Sequence, residues 1–255
     1  LSIKWDTYAR EILYHGRASD VIKKFLRYDA QKVVEKIQSL GLTMADVQEY
    51  LLMRHAPAYN ASVAEINPSM PDAGSSVPTA VAEKYMKDLP KDQKAKLQSV
   101  AKDIDAIIRK TQQVLVESGQ ETQDTINGWN KRFPQYVPLH RDELDFVETG
   151  AKGTGQGFSI RGAFARKGLG SEKPVQDIFS NIISQFERAV GRGEKNLVLQ
   201  SLYGLAVQNP NPDFWLPINP DAITSTKAAK AELAKMGISP TDVDNLLREP
   251  MESYI

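Results

Sequence analysis

The sequence predicts an all-α protein, an elongated multi-helix bundle with short helix-Gly-helix corners and a flexible Gly-rich arm. Three observations carry that expectation. Between Lys94 and Ser118, the residues Leu97, Val100, Ile104, Ile107, Ile108 and Leu115 form one apolar stripe. It is about seven turns long and close to a heptad, which suits helices packed lengthwise. A second stripe runs through Phe179, Ile182, Ile183, Phe186, Val190, Leu197, Leu202 and Leu205. Sustained strand alternation is hard to find anywhere in the chain.

Taken in order, Asp20 precedes Val21, Ile22, Phe25 and Leu26, a helical spacing, and Asp29 is placed to cap a second helix ending at Gly41. Next, LGLTMADVQEYLL, Leu40 to Leu52, turns a corner. Its glycine suits the left-handed position after a helix. Thr43 then serves as N-cap, and Asp46 three residues on sits near the positive helix end. MGISPTDVDNLLR, Met236 to Arg248, repeats the device with Gly237, Ser239 and Asp242, and ESGQETQDTINGW, Glu117 to Trp129, is a looser version. Pro240 falls at the first helical position, where its missing N–H costs nothing. Irregular spacing between the three argues against a solenoid.

The segments between stripes are irregular. NPSMPDAGSSVP, Asn67 to Pro78, cannot sustain a helix and reads as a packed loop. FPQYVPLHRDEL, Phe133 to Leu144, has Pro134 and Pro138 framing Tyr136 and Val137, so it reads as extended chain. Glu148 to Pro174 is rich in glycine, with Phe158, Ile160, Phe164 and Leu169 as its larger apolar anchors. NPNPDFWLPINP, Asn209 to Pro220, is a second irregular connection, in which Trp215 reads as an anchor onto the core. The expected organisation is an N-terminal helical region over 1–147, a basic Gly-rich arm or linker over 148–174, and a C-terminal helical region over 175–255 packing on the first.

The totals exclude several function classes. A chain of 255 residues is long enough to bury a substantial core. Lys plus Arg is 32 and Asp plus Glu is 32, so no overall field points to nucleic acid or an anionic membrane. Cysteine is absent, which removes disulfides, a thiol nucleophile and thiolate metal sites. No run approaches the roughly 18 apolar residues of a membrane span. The opening LSIKWDTYAREILY lacks both the order of a signal peptide and an initiating Met, and the end LLREPMESYI carries no tail signal. Both ends are expected to be cuts through a larger protein.

His15, His55 and His140 are the three histidines, and none has metal-ligand spacing. His55 reads as a packing residue. His140, beside Arg141 and Asp142, would need a substrate within reach for acid-base work. Acidic pairs such as Asp103 with Asp105 and Glu143 with Asp145 read as solvated surface, because residues two apart do not share a helix face. The glycine-rich stretch matches neither GxGxxG nor a phosphate-loop motif. It does hold a charge imbalance, with Lys152, Arg161, Arg166, Lys167 and Lys173 facing Glu172 over 151–173. These residues are the candidate contacts to a protein partner or a nucleic-acid backbone. In FERAVGRGEKN, Phe186 to Asn196, the charges read as a network registering two long helices or as part of a polar groove. That groove would combine Arg54, His55, Asn60, Glu187, Arg192, Glu194 and Lys195. No catalytic set, metal site or cofactor is expected.

RHAPAYNASVAEINPSMPDAGS, ESGQETQDTINGWNKRFPQYVPLHRD and SQFERAVGRGEKN together resemble a region of the large polyvalent proteins of bacteriophages and related mobile elements. The matching positions are Arg54, His55, Ala56, Asn60, Asn67, Pro68, Pro71 and Asp72, then Trp129, Tyr136, Val137, Pro138 and Leu139, then Glu187, Arg192, Glu194, Lys195 and Asn196. A glycine common in the family pattern is replaced by Ala73, which predicts a right-handed backbone there or an altered turn. The resemblance implies a helical, non-catalytic region of a large multidomain phage protein, in the virion or the host cytoplasm, with some such proteins delivered alongside the phage genome. Its implied partners are neighbouring domains of the larger chain or other phage proteins. A nucleic-acid-binding module using the arm, and an accessory region of a phage enzyme, are the alternatives.

Overall fold

A computed structural model describes residues 6–139, 177–209 and 211, and every regular element among them is helical. The helices are α1 (Thr7–Phe25), α2 (Gln31–Ser39), α3 (Met44–Ile66), α4 (Thr79–Asp88), α5 (Lys91–Glu117), α6 (Gln123–Arg132) and α7 (Ile178–Gln208). Among the described residues, no helix is long and apolar enough to cross a membrane. The chain divides into two compact units, one of 15–153 with 164–194, the other of 1–14, 154–163 and 195–255.

The first unit is organised by the α5 stripe. Leu97, Val100, Ala101, Ile104, Ile107 and Ile108 are buried together with Phe25, Val33, Ile37, Val47, Tyr50 and Leu51 from the preceding helices. From α7, Ile178, Phe179, Ile182, Phe186 and Val190 join the same core, and Phe186 stacks on Phe25 with ring centroids 3.8 Å apart. Each fully buried side chain of this size contributes roughly 1.5–3 kcal/mol, so apolar burial places α7 and polar contacts only tune it. A smaller cluster joins Leu115, Ile126 and Ala189, with Trp129 against it.

The beginning of the chain departs from expectation. Asp20 and Asp29 do not start helices. α1 already runs through Asp20, which pairs with Lys24 one turn on. It then passes into α2 through a π-helical turn, Leu26–Ala30, without a cap. The Gln31 N–H reaches back five residues to the Leu26 carbonyl. That widened turn lets Phe25 and Ala30, five residues apart, both enter the core. Asp29 instead holds Lys110 of α5 at 2.5 Å. The competing force is the apolar face: with it continuous from Ile22 to Ile37, a break at Asp29 would gain nothing.

The corners form as the residue types dictate. Gly41 has φ +67° and Gly119 φ +70°, both in the left-handed region. At α3, Thr43 Oγ1 accepts from the Asp46 N–H at 3.1 Å, while Asp46 Oδ2 accepts from the Thr43 N–H at 2.7 Å. This is a reciprocal capping box. Thr122 caps α6 by accepting from the Thr125 N–H at 3.1 Å. The third corner, at Met236 to Arg248, lies outside the described residues.

Asn67 to Pro78 is a non-helical loop between α3 and α4, packed so that Ser75 is fully buried. Ala73 is not right-handed, the first of its two expectations: its φ is +59°, the left-handed value. Asn60 of α3 holds Ser75 and Val77 while Asp72 reaches Thr79, as described below, and the backbone at 73 must join the two whatever its side chain. The Ser76 N–H bonding to the Ala73 carbonyl at 2.8 Å holds that geometry. Left-handed backbone costs an L-residue roughly 1–2 kcal/mol, and glycine's added unfolded-state freedom returns part of it. Ala73→Gly is therefore expected to stabilise the protein by about 0.5–1 kcal/mol, read as a higher urea midpoint at constant slope. A midpoint that falls would show the turn is not strained.

In the second unit the described residues are 6–14, 195–209 and 211. Asp6 caps α1, its Oδ1 accepting from the Ala9 N–H at 3.1 Å. The α7 stripe does not continue here as expected. Val198, Ser201 and Ala206 are buried, whereas Leu202 and Leu205 are exposed, along with Tyr203 and Val207. Leu202 lies about 100° round the helix from Ser201, so a face that buries 198 and 201 turns it outward. The Gly-rich arm and the connection holding Trp215 lie outside the described residues.

Candidate functional site

The polar residues of α3 converge on a hydrogen-bonded network in the first unit. Asn60 is 2% exposed. Its Nδ2 donates to Asp72 Oδ1 at 3.0 Å, to the Val77 carbonyl at 2.9 Å and to Thr79 Oγ1 at 3.0 Å. Its Oδ1 accepts from the buried Ser75 N–H at 2.8 Å. Asp72 in turn caps α4, accepting from the Thr79 hydroxyl at 2.7 Å and the Thr79 N–H at 3.1 Å. The Thr79 hydroxyl first, and then the Ala73 backbone, hold the Asp72 carboxyl below its ordinary range. One side chain on α3 thus sets the loop and the start of the next helix.

Arg54, one and a half turns earlier, reaches α5. Its two Nη atoms donate to Asp105 at 2.9 and 2.6 Å, a forked pair with the arginine side chain 7% exposed and the aspartate 23%. This corrects the reading of Asp105 as solvated surface: Arg54 covers it. Asp103 fits that reading better, being half exposed in its pair with Lys36 at 2.7 Å.

His55 faces inward, 1% exposed. Its ring lies 5.5 Å from Tyr59, 5.8 Å from Phe133 and 5.7 Å from Tyr136, centroid to centroid. Neither ring nitrogen reaches a hydrogen-bond partner. Burial first, and the Arg54 charge second, depress its proton affinity to a pKa of about 4, with the Gln135 backbone working weakly against them. A histidine so enclosed packs as a neutral ring.

Tyr136 links this ring to α7. Gln185 Nε2 donates to its hydroxyl at 3.3 Å, and the Arg188 charge acts on it as well. Burial raises the phenol above its ordinary value despite both. The three stretches that carry the family resemblance therefore meet: His55 from the first, Tyr136 from the second, Gln185 from the third. Sequence reasoning found the stretches but not the tyrosine as their common contact; the Pro134–Pro138 frame holding Val137 in the core was the available signal.

The α7 charges have other partners. Glu194 accepts from Arg17 of α1 at 2.9 Å. Burial and then Arg188 lower Arg192, with Glu121 opposing, while burial raises Glu121. Glu187 is half-buried, and Lys195 belongs to the second unit. Between these charges Gly193 has a steric role. A Cβ there would stand 2.9 Å from the Ser118 Cβ and Oγ, so only glycine admits the α5–α6 corner this close. Gln120 seals the crossing, donating to the Ala189 carbonyl at 2.9 Å.

His15 is exposed on α1. His140, the pair Glu143 with Asp145, and the arm residues Lys152, Arg161, Arg166, Lys167 and Lys173 lie outside the described residues. Among the described residues, no three or more His, Asp or Glu side chains are grouped to hold a metal ion. Comparison of the chain with family models, with curated proteins and with solved structures finds no match.

Proposed function

We propose that this chain is a structural or interaction region of a large phage-encoded multidomain protein, organising or accompanying its neighbouring domains rather than performing chemistry. The supporting observation is the convergence at Tyr136. Arg54, His55, Asn60 and Asp72 are polar residues of the first resemblance stretch, and each is engaged in holding one helix or loop to another. A pattern that specifies a packing junction serves a rigid spacer or docking body. The test deletes the chain from its complete reading frame. Neighbouring domains are expected to keep their separate activities and lose their association in pull-down or sedimentation. Unchanged association would overturn the reading, and loss of a neighbour's activity on a small soluble substrate would favour an accessory region of an enzyme.

The charge imbalance over 151–173 favours one alternative, contact between the arm and a nucleic-acid backbone. It requires binding to duplex or single-stranded DNA that weakens steeply with salt and falls when Arg161, Arg166 and Lys167 are all replaced by alanine. Equal binding by the triple variant would dismiss it.

A further inference from the structure

We propose that His55 makes the segment Phe133 to Leu139 an acid-sensitive latch, which protonation of the buried ring releases from α3. The geometry contains a conflict that only a neutral ring avoids. Both ring nitrogens lack partners in a site closed by Tyr59, Phe133 and Tyr136. An imidazolium needs two acceptors, and of the groups acting on this ring the Gln135 backbone alone favours the charged form, weakly against burial. The groups around it do not supply the missing charge. Arg54, its neighbour on α3, adds a positive charge, and the Asp105 carboxylate of α5 is held by both Arg54 Nη atoms. From α6, Arg132 lies over the outer side of Phe133 at 5.8 Å and engages Glu65 of α3. From α7, Arg188 acts on Tyr136 with the same sign. Tyr136, whose proton burial holds more tightly than usual, stays neutral in acid.

The segment is the part able to yield. α3 is fixed by its capping box, its Arg54 pair and the Asn60 lock. Phe133 to Leu139 is non-helical, and its grip rests on Val137 and Pro138 in the core and the Tyr136 bond to Gln185. Opening it exposes the imidazole to water, where its proton affinity returns to the ordinary value. The sign follows: the folded-state value is depressed, so the closed form is favoured fully above the ordinary pKa and progressively less as pH falls below it.

The experiment is amide hydrogen exchange on the whole chain, corrected for intrinsic rates, at near-neutral and acidic pH. Protection of 133–139 is expected to fall roughly fifty-fold between about pH 7 and pH 4.5, while peptides from α5 keep theirs. His55→Phe, which fills the site without a titrating group, is expected to keep the segment protected. Equal loss in the variant, or loss in α5 in step with the segment, would overturn the latch. Should the variant not fold, the ring proton shifts of His55 in the unaltered protein decide: titration near the ordinary histidine value, with Val137 methyl signals unmoved, overturns it. Titration depressed well below that value, together with movement of Val137, supports it.

Discussion

Asn60→Ala is expected to lower stability by about 2–4 kcal/mol, seen as a reduced urea midpoint with the slope unchanged. Each polar atom of the amide holds part of the loop. Its Oδ1 is the acceptor for Ser75 N–H, in a residue with no exposed surface. Orphaning such a donor costs roughly 1–3 kcal/mol. The Nδ2 bonds are less exclusive, since the Val77 carbonyl also receives the Ser75 hydroxyl at 3.1 Å and Thr79 also reaches Asp72. Their loss adds a smaller amount, chiefly by loosening the α4 cap. Asn60→Asp is expected to cost more although it is isosteric. It would set a second carboxylate against Asp72 Oδ1, 3.0 Å from the position of the present donor. A loss under about 1 kcal/mol in the alanine variant would show that water replaces the amide and that the loop is held elsewhere.

How much of this was legible depends on whether the signal was periodic. The α5 stripe was readable residue by residue because every member, from Leu97 to Leu115, is buried as the spacing requires. The corners at Gly41 and Gly119 were readable because backbone sterics leave few residue types for that conformation. The continuity of α1 into α2 was not. A π turn leaves no residue signature, and Asp29 looks like a cap until Lys110, far along the chain, claims it. The right-handed reading of Ala73 failed because local preference was weighed without Asn60 of α3 and Asp72 within the loop, whose bonds to Ser75 and Thr79 dictate the turn. The end of the α7 stripe was overextended, since Leu202 and Leu205 share its composition but not its buried face.

At the candidate site the same division holds. The residues Arg54, His55 and Asn60 were visible as a group, and helical spacing put them on one element. Their partners were invisible, because nothing in QSVAKDIDAII distinguishes Asp105 from Asp103. Only the phase of α5 against α3 does so. Asp105 falls on the side facing Arg54, while Asp103 is directed to Lys36. A pair separated by 51 residues is a property of packing. Gly193, the second glycine of FERAVGRGEKN, belongs to the same class, being required by Ser118 across a helix crossing rather than by its own neighbours.

That makes Asp105 the second strong test. Asp105→Ala would leave the Arg54 guanidinium, on a side chain only 7% exposed, without its counter-charge, and its Nε already has no partner. Removing one member of a buried pair costs about 3–5 kcal/mol, so a loss of this order is expected in urea or thermal unfolding. The pair as a whole contributes far less, because both charges were taken out of water to form it. The double variant Arg54→Met with Asp105→Leu is accordingly expected to lie within about 1–2 kcal/mol of the unaltered protein, recovering most of the single-variant loss through apolar contact between α3 and α5. If the two effects instead add, the pair does not act as a unit. The same cycle probes the neighbouring ring: without the Arg54 charge His55 is expected to titrate at higher pH, since that charge is the second cause of its depressed proton affinity. Acid release of Phe133 to Leu139 should then still begin at the ordinary histidine value but be smaller, because the solvent-exposed reference is unchanged while the closed form accepts its proton at higher pH. An acid loss of protection at 133–139 as large as in the unaltered protein would show that protonation of His55 does not govern the segment.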